Sequence, residues 1–173
     1  MDFEDLDDWT VSLDNFFGHF EQHFHRSESR TCARDYMRGL LADVKRKNCW
    51  QVAEAMGFDE PQAMQRLLYE AQWDDRVVRW KLREVTVIEL GYQPGVGVID
   101  ESGFVKKGDQ SVGVQRQWCG RLGKVENCQV AVFLGYVTPF GSAFLDSELY
   151  LPRSWCDDDE RRKRAHVPPD IAF

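Results

Sequence analysis

Val96-Gly97-Val98-Ile99-Asp100-Glu101-Ser102-Gly103-Phe104, with Lys106-Lys107-Gly108 just behind, is the stretch that decides the reading of this chain. A short apolar run that ends on an acid, followed by Ser-Gly, is how a buried strand delivers a carboxylate to the rim of a sheet. A carboxylate placed there can hold a divalent metal against a phosphate, and lysines a few residues later can steady the phosphate backbone. The local alternative is an acid that closes a turn onto the amides of Ser102 or Gly103. Strand alternation sends Glu101 to the face opposite Asp100, so the two acids cannot share one site without a bulge. Position matters as much as motif. Only 73 residues follow Asp100, so chemistry that needs further acids from a long downstream segment is expected to be incomplete.

The 173 residues fit one ordinary domain, or a small helical module joined to part of a second. With 43% hydrophobic and 13% aromatic residues the chain can bury a sizeable core. No apolar run approaches the roughly eighteen residues of a membrane span. The N-terminus is acidic and lacks the basic start and apolar centre of a signal peptide. A soluble cytoplasmic protein with no membrane partner is therefore expected. Five cysteines, Cys32, Cys49, Cys119, Cys128 and Cys156, include no CxxC pair and read as reduced, mostly buried thiols. His19 and His23 lie one helical turn apart with His25 close by, but no acid or cysteine adds metal-ligand spacing, and an ordinary helix is expected.

The net charge of −7 argues superficially against nucleic acid. Its distribution weakens that objection. Residues 1–30 carry eight acids against Arg26 and Arg30, which leaves the remaining 143 residues at only −1. Basic groups cluster there at Lys45-Arg46-Lys47, Lys106-Lys107 and Arg161-Arg162-Lys163-Arg164. Local patches, not whole-chain charge, set phosphate affinity.

Residues 1–91 read as helical. Trp9, Leu13, Phe16, Phe17, Phe20 and Phe24 recur at three- and four-residue intervals and predict a buried aromatic stripe. Ser27 or Ser29 caps a second helix through Cys32, Tyr36, Leu40, Leu41 and Val44, closed by the basic run at 45–47. Gly39 inside that helix costs about 1 kcal/mol against alanine and predicts close packing. Asn48 caps a short helix that Gly57 stops, a further helix starts at Glu60-Pro61, and a longer one runs from Asp74 to Gly91. From Tyr92 strands are expected: Val96 to Ile99, Asn127 to Val137 and Ser142 to Leu151. The last two form a hairpin across Thr138-Pro139-Phe140-Gly141. Asp157-Asp158-Asp159-Glu160 opens a charged helical segment.

Three further groupings carry chemistry. The helices around Gly57 have helix-turn-helix features, and the second offers Gln62, Gln65 and Arg66 to bases or phosphates. Asp146 and Glu148 alternate onto one face of their strand, either to join Asp100 or to form ion pairs along a sheet edge. Arg116, Arg121 and Lys124 frame a Gly-containing loop, Trp118 to Lys124, which is either a flexible phosphate-binding loop or a solvated one.

These words in this order resemble the DDE-class insertion-sequence transposases. The resemblance is carried by Val98-Ile99-Asp100-Glu101-Ser102-Gly103-Phe104-Val105-Lys106-Lys107-Gly108 and Ser111-Val112-Gly113-Val114-Gln115-Arg116-Gln117. Glu126-Asn127-Cys128-Gln129-Val130 and Glu148-Leu149-Tyr150-Leu151-Pro152-Arg153-Ser154-Trp155 belong to it as well. So do Arg46-Lys47-Asn48-Cys49-Trp50-Gln51 and Met64-Gln65-Arg66-Leu67-Leu68 in the helical part. The resemblance implies an RNase H-like catalytic domain behind a helical DNA-binding region. It also implies three carboxylates that hold two Mg2+ (or Mn2+) ions for cut-and-paste cleavage and strand transfer. Asp100 matches the first of those acids; nothing after Trp155 matches the second or third. The implied object is an N-terminal fragment that is inactive alone.

The fold expected is therefore α+β. A helical, DNA-binding module (1–91) precedes the first strands of an incomplete RNase H-like mixed sheet (92–173). Asp100 is the expected catalytic and metal-binding residue. Gln65, Arg66, Lys106, Lys107, Arg116, Arg121 and Lys124 are the expected DNA contacts. The partners implied are transposon-end DNA and full-length transposase or a second copy. The alternative is a non-catalytic DNA-binding or transposition-inhibiting protein that uses the helical region.

Overall fold

The computed structural model describes residues 3–91 and 94–171. The chain is α+β, with helices first and a four-stranded antiparallel sheet after them. It divides into two compact units, residues 1–81 and 82–173.

In the first unit, α1 (Phe3–Gly18) is followed by a 3-10 turn (Glu21–His23), α2 (Ser27–Leu41), α3 (Cys49–Ala55) and α4 (Gln62–Tyr69). The aromatic periodicity is realised only at its C-terminal end. Phe17, Phe20 and Phe24 are buried, and Phe24 packs on Trp73 with ring centroids 5.5 Å apart. Trp9 was expected in the same stripe but is 69% exposed. The buried aromatics come from the last turn of α1 and from either side of the 3-10 turn after it, and Trp9, two turns earlier, lies outside that group. Arg38 donates to both carboxylate oxygens of Asp14 at 2.7 Å and ties α1 to α2.

The core of this unit joins Cys32 on α2, Val52 and Ala53 on α3, and Met64 and Leu67 on α4. Gly39 shows why α2 tolerates a glycine. A Cβ there would lie 2.5 Å from Val52 Cγ1, so the two helices cross too closely for any side chain. Asn48 caps α3 as expected, its side-chain oxygen accepting the Gln51 amide at 3.0 Å. Gly57, at φ 78°, takes the left-handed conformation that ends α3 and turns the chain toward α4. The run Lys45-Arg46-Lys47 lies beyond the end of α2 rather than in its last turn, yet Lys47 still donates to the Ala42 carbonyl. α5 (Asp75–Leu90) starts where Asp74 accepts the amides of Arg76 and Val77.

The second unit is built on β1 (Val96–Val105), β2 (Gln115–Cys119), β3 (Lys124–Thr138) and β4 (Gly141–Leu149). The short helices α6 (Arg153–Cys156) and α7 (Asp159–Arg164) follow. β2 is a strand that the sequence did not announce; Arg116 lies within it rather than in a loop. β3 pairs antiparallel with each of the other three. Its partners overlap along its length: β2 opposes 124–128, β1 opposes 128–137 and β4 opposes 131–138. The expected hairpin turn is present, with Thr138 Oγ1 accepting the Phe140 amide.

Directly paired residues share a face of an antiparallel sheet, so the register sorts the side chains. Val96, Val98, Asp100, Ser102 and Phe104 share one face with Gln129, Ala131, Phe133, Gly135 and Val137. Ile99, Glu101, Gly103 and Val105 share the other with Cys128, Val130, Val132 and Leu134. That second face is partly covered. Gly103 is buried where a Cβ would lie 2.7 Å from Cys119 Sγ, so the end of β2 folds over it, and Cys119, Cys128 and Val130 form a small core. Arg83 of α5 pairs with Asp146 on the same side. All five cysteines are free thiols, and burial holds those of Cys32 and Cys128 above the usual range, so both remain protonated.

Gly39→Ala tests the α2–α3 crossing. Helix propensity favours alanine by ~1 kcal/mol, whereas overpacking costs about 1–3 kcal/mol. The variant is expected to be less stable in urea unfolding, and Gly39→Ala with Val52→Ala should cost less than the sum of the two single changes. Additive costs would show that the contact with Val52 does not govern the site.

Candidate functional site

Asp100 is where the sequence expectation needs its first correction. The strand does not stop at Ile99: all ten residues from Val96 to Val105 pair with β3, and Asp100 sits in the middle of β1, opposite Phe133. Ser102 and Gly103, read as a turn, continue the strand, because Gly103 supplies the space into which Cys119 packs. Asp100 Oδ1 accepts the amide of its neighbour Glu101 at 2.8 Å, not that of Ser102 or Gly103. Although it is mid-strand, Asp100 is exposed. Among the described residues, β1 hydrogen-bonds to β3 alone, so its other edge is unpaired.

The surroundings of Asp100 are apolar and open. Val96, Val98 and Phe104 of β1, Val137 of β3, and Phe144 and Leu149 of β4 lie on its face and are exposed, Phe144 by 68%. Phe133 links them, 6.1 Å from Phe104 and 5.3 Å from Phe144 between ring centroids. Contiguous apolar surface of this kind commonly marks a place of contact with another surface. The carboxylate therefore stands in a hydrophobic field.

Of the two alternatives open for Asp146 and Glu148, neither acid joins Asp100, and Asp146 forms an ion pair. A register shift between Leu134 and Gly135 leaves Leu145 as an extra residue in β4. Gly135 pairs with Phe144, but Leu134 pairs with Asp146 and Val132 with Glu148. Without the bulge, period-two alternation would set both acids on the face of Asp100. With it, they lie on the opposite face, beside Glu101. Arg83 is the counterpart of Asp146 there: its guanidinium bonds the carboxylate and the Leu145 carbonyl, and the Asp146 bond raises the Arg83 pKa. Nothing in the sequence marks a bulge at Leu145 or singles out Arg83 among the charges of α5.

Asp100 alone does not complete a metal site. Mg2+ and Mn2+ take about six oxygen ligands, normally from more than one carboxylate plus water or phosphate. Among the described residues no three His, Cys, Asp or Glu side chains come together to supply them.

The basic residues are dispersed. Lys106 and Lys107 follow β1 directly, ~20 Å along the strand from Asp100 at about 3.3 Å per residue. Arg116 lies in β2, opposite Asn127, and Arg121 is in the 3-10 turn Gly120–Leu122 that follows Cys119. Lys124 begins β3 and pairs with Glu126 at 3.2 Å. The Glu126 carboxyl is held below its usual range, first by the Asn127 amide and then by Lys124. In the helical unit, Arg66 is exposed on α4 and Gln65 is half-buried beside the fully buried Met64.

The pattern of these residues has known relatives. The family profile of the DDE superfamily endonucleases matches residues 19–173. The chain belongs to this family. Its members generally use divalent metals. The chain is also 36% identical over 135 residues to a probable transposase for insertion sequence element IS701 from Microchaete diplosiphon. That match takes in 78% of this chain and 34% of the relative, so the chain spans about a third of the length of the curated transposase. No solved structure matches significantly. Within the described residues, no helix is long and apolar enough to cross a membrane.

An exposed acid whose side chain bonds only its neighbour's amide among the described residues contributes little to folding. Asp100→Asn is expected to shift unfolding stability by no more than about 0.5 kcal/mol. A loss of about 2 kcal/mol or more in urea titration would assign Asp100 a structural task instead.

Proposed function

We propose that the chain is the DNA-engaging part of a DDE transposase. In this reading Asp100 is the first of the carboxylates that hold catalytic Mg2+ or Mn2+, and residues 92–173 form the leading part of an RNase H-like catalytic domain. The helical residues 1–91 bind the ends of the mobile element. One observation carries the proposal: the family match runs through the Asp100 motif, and Asp100 stands exposed at mid-strand on an open apolar face beside an unpaired edge. That is a place where further acid-bearing elements can pack against it.

The contacts proposed for DNA are Gln65 and Arg66 on α4, Lys106 and Lys107 after β1, Arg116 on β2, Arg121, and Lys124. Arginine and lysine neutralise phosphates without reading sequence, whereas Gln65 and Arg66 are types that also reach base edges. Asp100, joined by further acids, would place a hard oxygen donor on the metal, which would sharpen a water or 3′-hydroxyl nucleophile and stabilise the leaving oxygen. No cleavage step can be assigned to one carboxylate.

Among the described residues no further acids gather with Asp100, and this favours a second reading, in which the 173 residues act without catalysis. The chain would occupy element ends or pair with a full-length transposase, and so inhibit transposition. The same measurements separate the two. Duplex DNA carrying the element ends is expected to shift the chain at about 50 mM salt, with affinity falling steeply by about 200 mM. Arg66→Ala is expected to weaken binding. No Mg2+-dependent nicking by the 173 residues is expected. Absence of any shift at low salt would overturn DNA binding; nicking that disappears in Asp100→Ala would overturn the inhibitory reading.

A further inference from the structure

The connection between β1 and β2, residues 106–114, is braced by side chains to a degree that its sequence does not require. Six of its carbonyls accept from side-chain donors in β2, β3, α6 and α7. Asn127 Nδ2 donates to Lys106 O at 2.9 Å and to Gly108 O at 2.8 Å. Arg161 reaches Asp109 O at 2.7 Å, and Gln129 reaches Val112 O. Gln117 takes Gly113 O, and the indole of Trp155 takes Val114 O at 2.9 Å. Trp155 is fully buried, and the Arg161 guanidinium lies 3.7 Å from its ring centroid, which fixes Arg161 in turn. The orientation of the Asn127 amide is not in question, since both its partners are carbonyls that only accept.

What this bracing presents outward is cationic. Lys107, Gly108 and Gln110 are exposed, and their backbone amides find no acceptor among the described residues. Lys106 and Lys107 stand at the start of the loop. The one acid in it, Asp109, is held below its usual range by the Gln110 side chain and its own amide, with Arg161 and Arg164 adding to the effect. Arg164 and Arg161 line a recess with Asp109 and Gln110, so the acid is offset locally. Carbonyls turned into side-chain donors and amides left outward beside lysines is an arrangement suited to phosphate oxygens.

We infer that the 106–114 loop is a preorganised clamp for the DNA phosphate backbone, and that Asn127 is its positioning residue. The inference rests on the transposase reading above and adds a residue that touches no DNA itself. A free loop would lose its conformational freedom on binding; a braced loop has lost it already, and more of the lysine–phosphate attraction appears as affinity. Asn127 is suited to this because one side chain holds both carbonyls that flank Lys107, while its own carbonyl accepts the Lys106 amide.

The test uses the 173-residue chain and a fluorescent duplex carrying the element ends, titrated by anisotropy between about 50 and 200 mM salt. Lys106→Ala with Lys107→Ala is expected to lower affinity at least tenfold and to flatten the log–log salt slope by about 1.8, the value for two phosphates. Asn127→Ala is expected to lower affinity about fivefold to tenfold with the slope changed by less than about one, because the lysines remain. Added to the double lysine variant, Asn127→Ala should then cost nothing further, the coupling that a positioning role requires. Asn127→Asp, which keeps the shape but cannot donate and adds a negative charge beside the lysines, should weaken binding at least as much as Asn127→Ala, and Gln129→Ala, which removes the Val112 brace, serves if the Asn127 variants unfold.

Wild-type binding that ignores the lysines overturns the clamp. Asn127→Ala costs that are equal in both backgrounds overturn the positioning role. Absence of wild-type binding overturns the DNA reading itself, and the clamp with it.

Discussion

Every strand of the sheet depends on β3. β1, β2 and β4 each make their ladder hydrogen bonds to it, and its fifteen residues are long enough to serve all three. Such a strand needs sustained β propensity, and Val125, Val130, Val132, Phe133, Tyr136 and Val137 provide it through β-branched and aromatic side chains. The consequence reaches the candidate site directly. Asp100 is held by its pairing with Phe133, and the loop after β1 is held by Asn127 and Gln129, so one strand sets the position of both the acid and the lysines.

The two faces of that sheet have different fates. One is closed in part by the end of β2 over Gly103 and by the pairing of Arg83 with Asp146. The other carries Asp100 among Phe104, Phe133, Phe144 and neighbouring valines and is open among the described residues. A single extra residue, Leu145, enforces the difference in charge between them. By shifting alternation it carries Asp146 and Glu148 away from Asp100 and leaves the open face with one acid. An unpaired strand edge next to an exposed apolar face invites association with other chain segments, and acids such as Asp100 and Glu101 in the middle of that edge oppose pairing between identical copies.

Much of the local structure was legible because it rests on near neighbours. Asn48 as a cap, Gly57 as a stop, the turn after Thr138 and the acids that open α7 all follow from chemistry within three or four residues. The close approach at Gly39 was foreseeable as well, since a glycine inside a helix calls for a reason. The misplacements share the opposite origin. Trp9 lies on the periodic stripe yet remains outside, because burial depends on what packs against a helix and not on its period. β2 escaped notice because Gln115-Arg116-Gln117 carries no apolar alternation; β3 supplies the partner that makes it a strand. Ser102-Gly103 read as a turn until Cys119 showed what the missing side chain makes room for.

The sequence by itself determined the order of helices before strands, the caps and turns, and the family, since Asp100 and its neighbours are a linear motif. It also determined that Asp100 and Glu101 point apart, because strand alternation is a property of consecutive residues. Only the tertiary structure decided that Asp100 lies at mid-strand, which face Asp146 and Glu148 occupy, and which donors hold the 106–114 loop. Those facts depend on the register between strands and on contacts from Asn127, Trp155 and Arg161, residues up to about fifty positions away in the chain. Register is fixed by pairing energies summed over a whole ladder, and one inserted residue reverses it, so no local reading of the strand reveals it.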